Sequence, residues 1–238
     1  MLRTSHWAIA VLLLAALECL GNGGQQPVLA AESSVIVPAP LLDAPKVGPA
    51  AIQTAVLAGG CFWGVQGVYQ HVRGVTQALS GYSGGTKATA EYEMVSGGGT
   101  GHAESVEIRF DPKELSYGEI LQIYFSVVHD PTQLNRQGPD TGTQYRSNIF
   151  YVDESQRQIG QAYIAQLEKS KTFNRAIVTR LDPLNGFYPA EAYHQDFLVK
   201  NPRYPYIVFN DLPKIDNLKR LFPSRYRDQP VLVERSPR

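Results

Sequence analysis

Two apolar periodicities alternate along much of this chain, and that alternation restricts the fold more than any other feature. An apolar run at residues 54–58 is cut off by Gly59 and Gly60, and residues 62–72 then carry apolar and aromatic side chains at helical spacing. A strand, a tight turn and a helix satisfy that pattern. Residues 75–79 predict a second strand, and glycine-rich loops at 81–86 and 96–101 enclose a short helix around Tyr92. Residues 103–110 alternate, with Glu104, Val106, Ile108 and Phe110 on one face and Ala103, Ser105, Glu107 and Arg109 on the other. Glu104 therefore shares an apolar face. Ser116 and Glu119 make a capping box for a helix running to about His129, where Asp130 and Pro131 stop it. A strand at 148–152, a helix at 154–169 capped by Asp153, a strand at 176–181 and a helix at 190–200 complete the series. The expectation is an α/β (α+β) fold, a two-layer sandwich of a mixed sheet with helices. From Pro202 onward the chain is rich in Pro and Tyr and reads as a long irregular C-terminal segment with one short helix at 215–221.

The first residues read as an address label. Arg3 supplies a positive start, residues 8–17 a short apolar run, and Ala30 and Ala31 a cleavage point. The run is too short to span a bilayer. Residues 1–31 are expected to be a signal peptide, 32–50 a disordered Pro/Ala-rich linker, 51–226 one catalytic domain and 227–238 a tail. The mature chain is then soluble and exported, to the periplasm or the exterior, with no membrane contact beyond an N-terminal anchor should the leader stay uncleaved. Lipid attachment at Cys19 is disfavoured by Glu18, which stands where a small residue is wanted. Twenty-two basic and 22 acidic residues give a formal net charge of zero. That balance, with basic residues scattered, argues against nucleic acid as a partner. A monomer is the default.

Cys19 belongs to the leader, which leaves Cys61 as the mature chain's one thiol and excludes an internal disulfide. Cys61 follows Gly59 and Gly60 at the expected start of a helix, where backbone N–H groups and the helix dipole favour a thiolate. A glycine pair entering a helix is a poor place to bury a cysteine. Phe62 and Trp63 follow, either as core or as walls of an apolar pocket for a small thioether-like group.

The segment GGCFWG at 59–64 resembles the nucleophile motif of the A-type peptide methionine sulfoxide reductases. GYSGG from Gly81, TGHAE from Thr100, GTQYRS from Gly142, FYPAEAYHQ from Phe187 and PYIVFNDLPK from Pro205 are similar to that family's other segments. The likeness extends over residues 53–226. It implies a ferredoxin-like core and reduction of methionine S-sulfoxide, free or in oxidised proteins, by Cys61. It also implies Tyr92 and Tyr145 as hydroxyls near the sulfoxide oxygen, Phe62 and Trp63 around the methyl group, and Asp140 as a supporting acid. Glu104 is picked out twice, by the family motif and by its apolar face. Burial there would keep its carboxyl protonated, as a general acid needs, because oxide leaves poorly. The first half-reaction leaves Cys61 as a sulfenic acid. Many relatives carry further cysteines near the C-terminus, whereas residues 202–238 hold none. An external thiol is therefore the expected reductant: a thioredoxin-like protein, glutaredoxin or a small thiol. No bound cofactor or metal is expected.

Two other readings stand beside this one. A cysteine hydrolase or transferase would need Cys61 activated by His102, His129 or His194, the last near Glu191 and Asp196. An exported binding module would use the Tyr- and Gly-rich loops, with Cys61 incidental.

Overall fold

The structure, a computed structural model, describes residues 34–45 and 51–233; the expected leader lies outside them. In chain order the main elements are β1 (Gln53–Ala58), α1 (Phe62–Gln70), β2 (Val75–Ser83), α2 (Tyr92–Ser96), β3 (Ala103–Phe110) and α3 (Tyr117–Ile123). Two-residue strands β4 (Arg136–Gln137) and β5 (Asp140–Thr141) come next. They are followed by β6 (Asn148–Tyr151), α4 (Glu154–Ser170), β7 (Arg180–Pro183), β8 (Phe187–Pro189), α5 (Phe197–Lys200) and α6 (Leu212–Leu221). A six-stranded mixed sheet has the order β7-β6-β1-β3-β2-β8. Only β6 and β7 run parallel. Its centre, β6-β1-β3-β2, joined through α1 between β1 and β2 and through α3 between β3 and β6, is the ferredoxin-like core.

The local signals that specify most of these elements are those of the sequence, although the strand expected at 176–181 lies instead at Arg180–Pro183. Ser116 Oγ accepts the Glu119 N–H and Glu119 returns the bond to the Ser116 N–H, the expected capping box. α3 then widens into one π-helical turn at Tyr124–Val128 before His129 leaves it. Asp153 caps α4 through Gln156 N–H. No helix among the described residues is long and apolar enough to cross a membrane.

Three expectations are corrected. Residues 190–200 do not form one helix: the chain turns through 192–195, Asp196 takes φ +59°, and only α5 is helical. The reason is Gln195. Its side chain bonds both the N–H and the carbonyl of Ser80 and accepts from Gln66, standing in for a strand partner of β2. The C-terminal segment is more ordered than expected, since residues 205–221 are one continuous helical run. Residues 34–45, assigned to a disordered linker, run as an extended strap across α3 and α4. Val37 is 1 % exposed, Asp43 accepts from Ser116 Oγ and Gly118 N–H, and the Pro38 carbonyl accepts from Tyr163.

Candidate active site

Cys61 is the N-cap residue of α1 and sits where β1 hands over to the helix. Gly60 turns the chain with φ +90°, and a Cβ there would lie 2.6 Å from Gln137 Cβ, so glycine is required on both counts. This tight entry buries the cysteine, contrary to expectation: Cys61 is 9 % exposed and packs within the core. Burial, with the Glu104, Asp211 and Asp140 carboxylates nearby, holds its thiol well above the ordinary range, opposed only by the Trp63 N–H. The helix N-terminus therefore does not by itself make a thiolate here. Burial, with the acids beside it, acts against it.

Glu104 sits on β3 and is 3 % exposed. Its Oε2 accepts the N–H of Phe62, one residue beyond Cys61, at 3.0 Å. Burial pushes its carboxyl up to about 8, with Asp140 and Asp211 adding to the shift, so the group is mostly uncharged at neutral pH. Tyr92 opens α2 and Tyr145 lies in the loop before β6; both are half-buried. Burial raises both hydroxyls, and each also feels Glu104 and Cys61. The structure thus brings Cys61, Glu104, Tyr92 and Tyr145 into one electrostatic neighbourhood.

Phe62 and Trp63 part company. Phe62 is 1 % exposed and wedged between Tyr82 and His194, so it is core. Trp63 keeps some exposed surface, stacks on Phe197 at 3.8 Å and meets the edge of Tyr206. Asp140 accepts a short hydrogen bond from the Tyr206 hydroxyl.

Residues that the reading of the sequence left out of the reductase site hold this arrangement. His194 Nδ1 accepts the Trp63 indole N–H at 3.1 Å, which puts the neutral ring's proton on Nε2, 3.9 Å from Glu191. Glu191 also accepts from the Tyr92 N–H and the Tyr82 hydroxyl. Asp211, fully buried, presses on α1 at Gly64, where a Cβ would come within 2.1 Å of Oδ1. Neither of its oxygens has an aligned hydrogen bond; Lys214 Nζ stands 3.3 Å away as a charge partner. Burial pushes Asp211 up to about 6 against that lysine. Their signal in the sequence lay in FYPAEAYHQ and PYIVFNDLPK, read as likeness without roles, and for His194 and Glu191 in the hydrolase reading as well.

The histidines do not serve a hydrolase. His102 is spent on Gly85 N–H and the Thr86 carbonyl, His129 on the Tyr124 carbonyl and Ser147, and His194 on Trp63. Among the described residues no group of three or more His, Cys, Asp or Glu side chains could hold a metal ion.

Cys61, the one cysteine among the described residues, buried beside an uncharged carboxyl on a ferredoxin-like sheet, fits a thiol-dependent oxidoreductase. The family model described as peptide methionine sulfoxide reductase matches residues 53–226. The chain is 63 % identical over 181 residues to peptide methionine sulfoxide reductase MsrA 2 of Mesorhizobium japonicum, covering 76 % of this chain and 93 % of that protein. It is 52 % identical over 198 residues to the Synechocystis protein of the same name, covering 82 % and 92 %. The structure of methionine sulfoxide reductase A of Corynebacterium diphtheriae is similar with a TM-score of 0.56 and 31 % identity, over 75 % of this chain and 94 % of that one. The chain belongs to the A-type peptide methionine sulfoxide reductases, oxidoreductases that return methionine S-sulfoxide to methionine.

Proposed function

We propose that Cys61 and Glu104 together carry the reduction, with Cys61 as nucleophile and Glu104 as general acid. As the Cys61 sulfur attacks the sulfoxide sulfur, Glu104 gives its proton to the oxygen and recovers the one the thiol loses. The attack forms an S–S bond; the hydroxyl then passes to the Cys61 sulfur, a new S–O bond forming there as the S–S bond and the methionine S–O bond break. Thiol plus sulfoxide become sulfenic acid plus thioether, with nothing left over. Tyr92 and Tyr145 donate to the oxygen while charge builds on it. Trp63 takes the methyl side, with Phe62 supporting it from beneath and Asp140 held by Tyr206. The observation that carries this reading is the Glu104 carboxyl, sealed from water and bonded to the N–H next to Cys61.

Cys61 is the sole cysteine among the described residues, and the sequence places the other, Cys19, in the expected leader. Two equivalents of an external thiol then close the cycle. The first displaces water from the sulfenic acid to give a mixed disulfide, and the second releases Cys61. The test is an anaerobic single turnover with each epimer of a blocked methionine sulfoxide. One methionine formed and one thiol lost per chain are expected with the S epimer alone. Glu104→Gln should slow that burst roughly 100-fold or more. A burst at the wild-type rate in the variant removes Glu104 from the mechanism.

A further inference from the structure

A cavity of about 440 Å³ opens onto Cys61, and Asp130, Arg136, Asp140, Arg175 and Tyr206 line it. None of Phe62, Trp63, Tyr92, Glu104 and Tyr145 does. Of the groups assigned to the sulfoxide only Asp140, held by Tyr206, borders this path, so Cys61 is reached from a side away from Glu104, Tyr92 and Tyr145. We propose that this cavity binds the regenerating thiol, and that it takes a small peptidic thiol carrying carboxylates and an ammonium group. The proposal rests on the sulfenic acid reading above.

Direction of attack is the first argument. Substitution at a divalent sulfur runs in line with the bond that breaks. In the sulfenic acid the S–O bond is held toward Glu104, Tyr92 and Tyr145, so the incoming thiolate must arrive where they are not. As it attacks, the new S–S bond forms, the S–O bond breaks and the oxygen leaves as water with a proton from Glu104. Size is the second. Cys61 is only 9 % exposed, which a small thiol inside a cavity overcomes more readily than a folded protein docking outside. The volume is that of an ordinary small-molecule site. Charge is the third. Arg136, fixed by one bond to the Gly138 carbonyl, and Arg175, 3.6 Å from Asp130, offer guanidinium groups to carboxylates, while Asp130 and Asp140 offer acids to an ammonium. This mixed lining suits a zwitterionic peptide.

The probe is glutathione, applied to the full chain after one anaerobic turnover has formed one methionine per chain. Recovery of the Cys61 thiol should saturate with glutathione. Its half-saturation should rise about tenfold for glutathione diethyl ester, whose carboxylates are masked, and for Arg136→Ala/Arg175→Ala. Recovery with 2-mercaptoethanol and the preceding methionine burst should be unchanged in that variant. Equal handling of glutathione and its ester by the wild type overturns the proposal, as does a variant whose burst with an oxidised peptide slows, which would assign the cavity to the substrate. Faster recovery with a thioredoxin-like protein than with saturating glutathione also overturns it. Failure of the burst itself would count against the sulfenic acid reading and is scored before any thiol is added.

Discussion

Glu104 shows what the chemistry asks of a single side chain. A carboxyl free in the unfolded chain titrates near 4.3, whereas the folded protein holds this one at about 8. Between those values the folded state keeps a proton that the unfolded state has lost. The stabilising contribution is therefore full below the lower value and is lost as pH rises through the upper one, by up to about 1.4 kcal/mol per pH unit. Glutamine has no proton to lose and can still accept the Phe62 N–H. Glu104→Gln should consequently melt higher than the wild type at pH 9, by roughly 2 °C or more, with the two curves converging toward pH 4. Thermal melts across that range decide it. A difference that does not vary with pH would mean the carboxyl is not held uncharged. A variant more stable at high pH yet nearly inactive is what a site strained for function predicts. Much of this residue's part was legible in the sequence, because a carboxylate in phase with Val106, Ile108 and Phe110 must be desolvated. The raised thiol of Cys61 was not legible, because its burial, and after that the approach of Asp211 and Asp140 from segments far along the chain, are set by tertiary packing.

At the scale of elements, the start of α1 is set by what packs on it. Gly64 follows the aromatic pair because the Asp211 carboxylate, carried at the head of α6, occupies the space a methyl group would need. Gly64→Ala should cost roughly 1–3 kcal/mol by overpacking and slow the methionine burst by shifting the Cys61 end of the helix. Asp211→Ala removes the obstructing oxygens, so the double variant should lose less stability than the two single changes summed. Denaturant titration of all four proteins tests this; strict additivity would mean the two residues do not meet. The same junction explains why some elements could be read and others not. β1, β3, the α3 capping box and α4 announce themselves through local periodicity and caps. The run at 205–221 hid in a segment whose Pro and Tyr content reads as irregular, yet Pro205 opens the run and Pro213 stands in the first turn of α6, where a missing N–H costs little. The turn at 192–195 depends on Gln195 reaching Ser80, which no local pattern encodes.

Across the whole molecule, the strap of residues 34–45 ties the chain's entry to the helices that back the sheet. A Pro/Ala-rich composition reads as linker because it offers few apolar anchors, and it takes only two contacts to overturn that reading. Val37 fills a core site at 1 % exposure, and Asp43 satisfies Ser116 Oγ and the Gly118 N–H at the head of α3. A Cβ at Gly118 would meet Asp43 and Pro40 within 2.6 Å, so that glycine makes room for the strap. Removing two buried carbons with Val37→Ala costs about 1.5 kcal/mol. Removing hydrogen bonds to a charged partner with Asp43→Ala costs about 1.5–3 kcal/mol. The sites are separate enough to add, and for a domain of this size the sum lowers Tm by roughly 5–15 °C. Val37 and Asp43 pack on α3 and the turn after it rather than on α1, so the methionine burst at 25 °C should keep its wild-type rate. Differential scanning calorimetry with a parallel single-turnover assay separates the two effects: an unchanged Tm would show that the strap does not belong to the folded domain, and a slowed burst would show that it reaches Cys61.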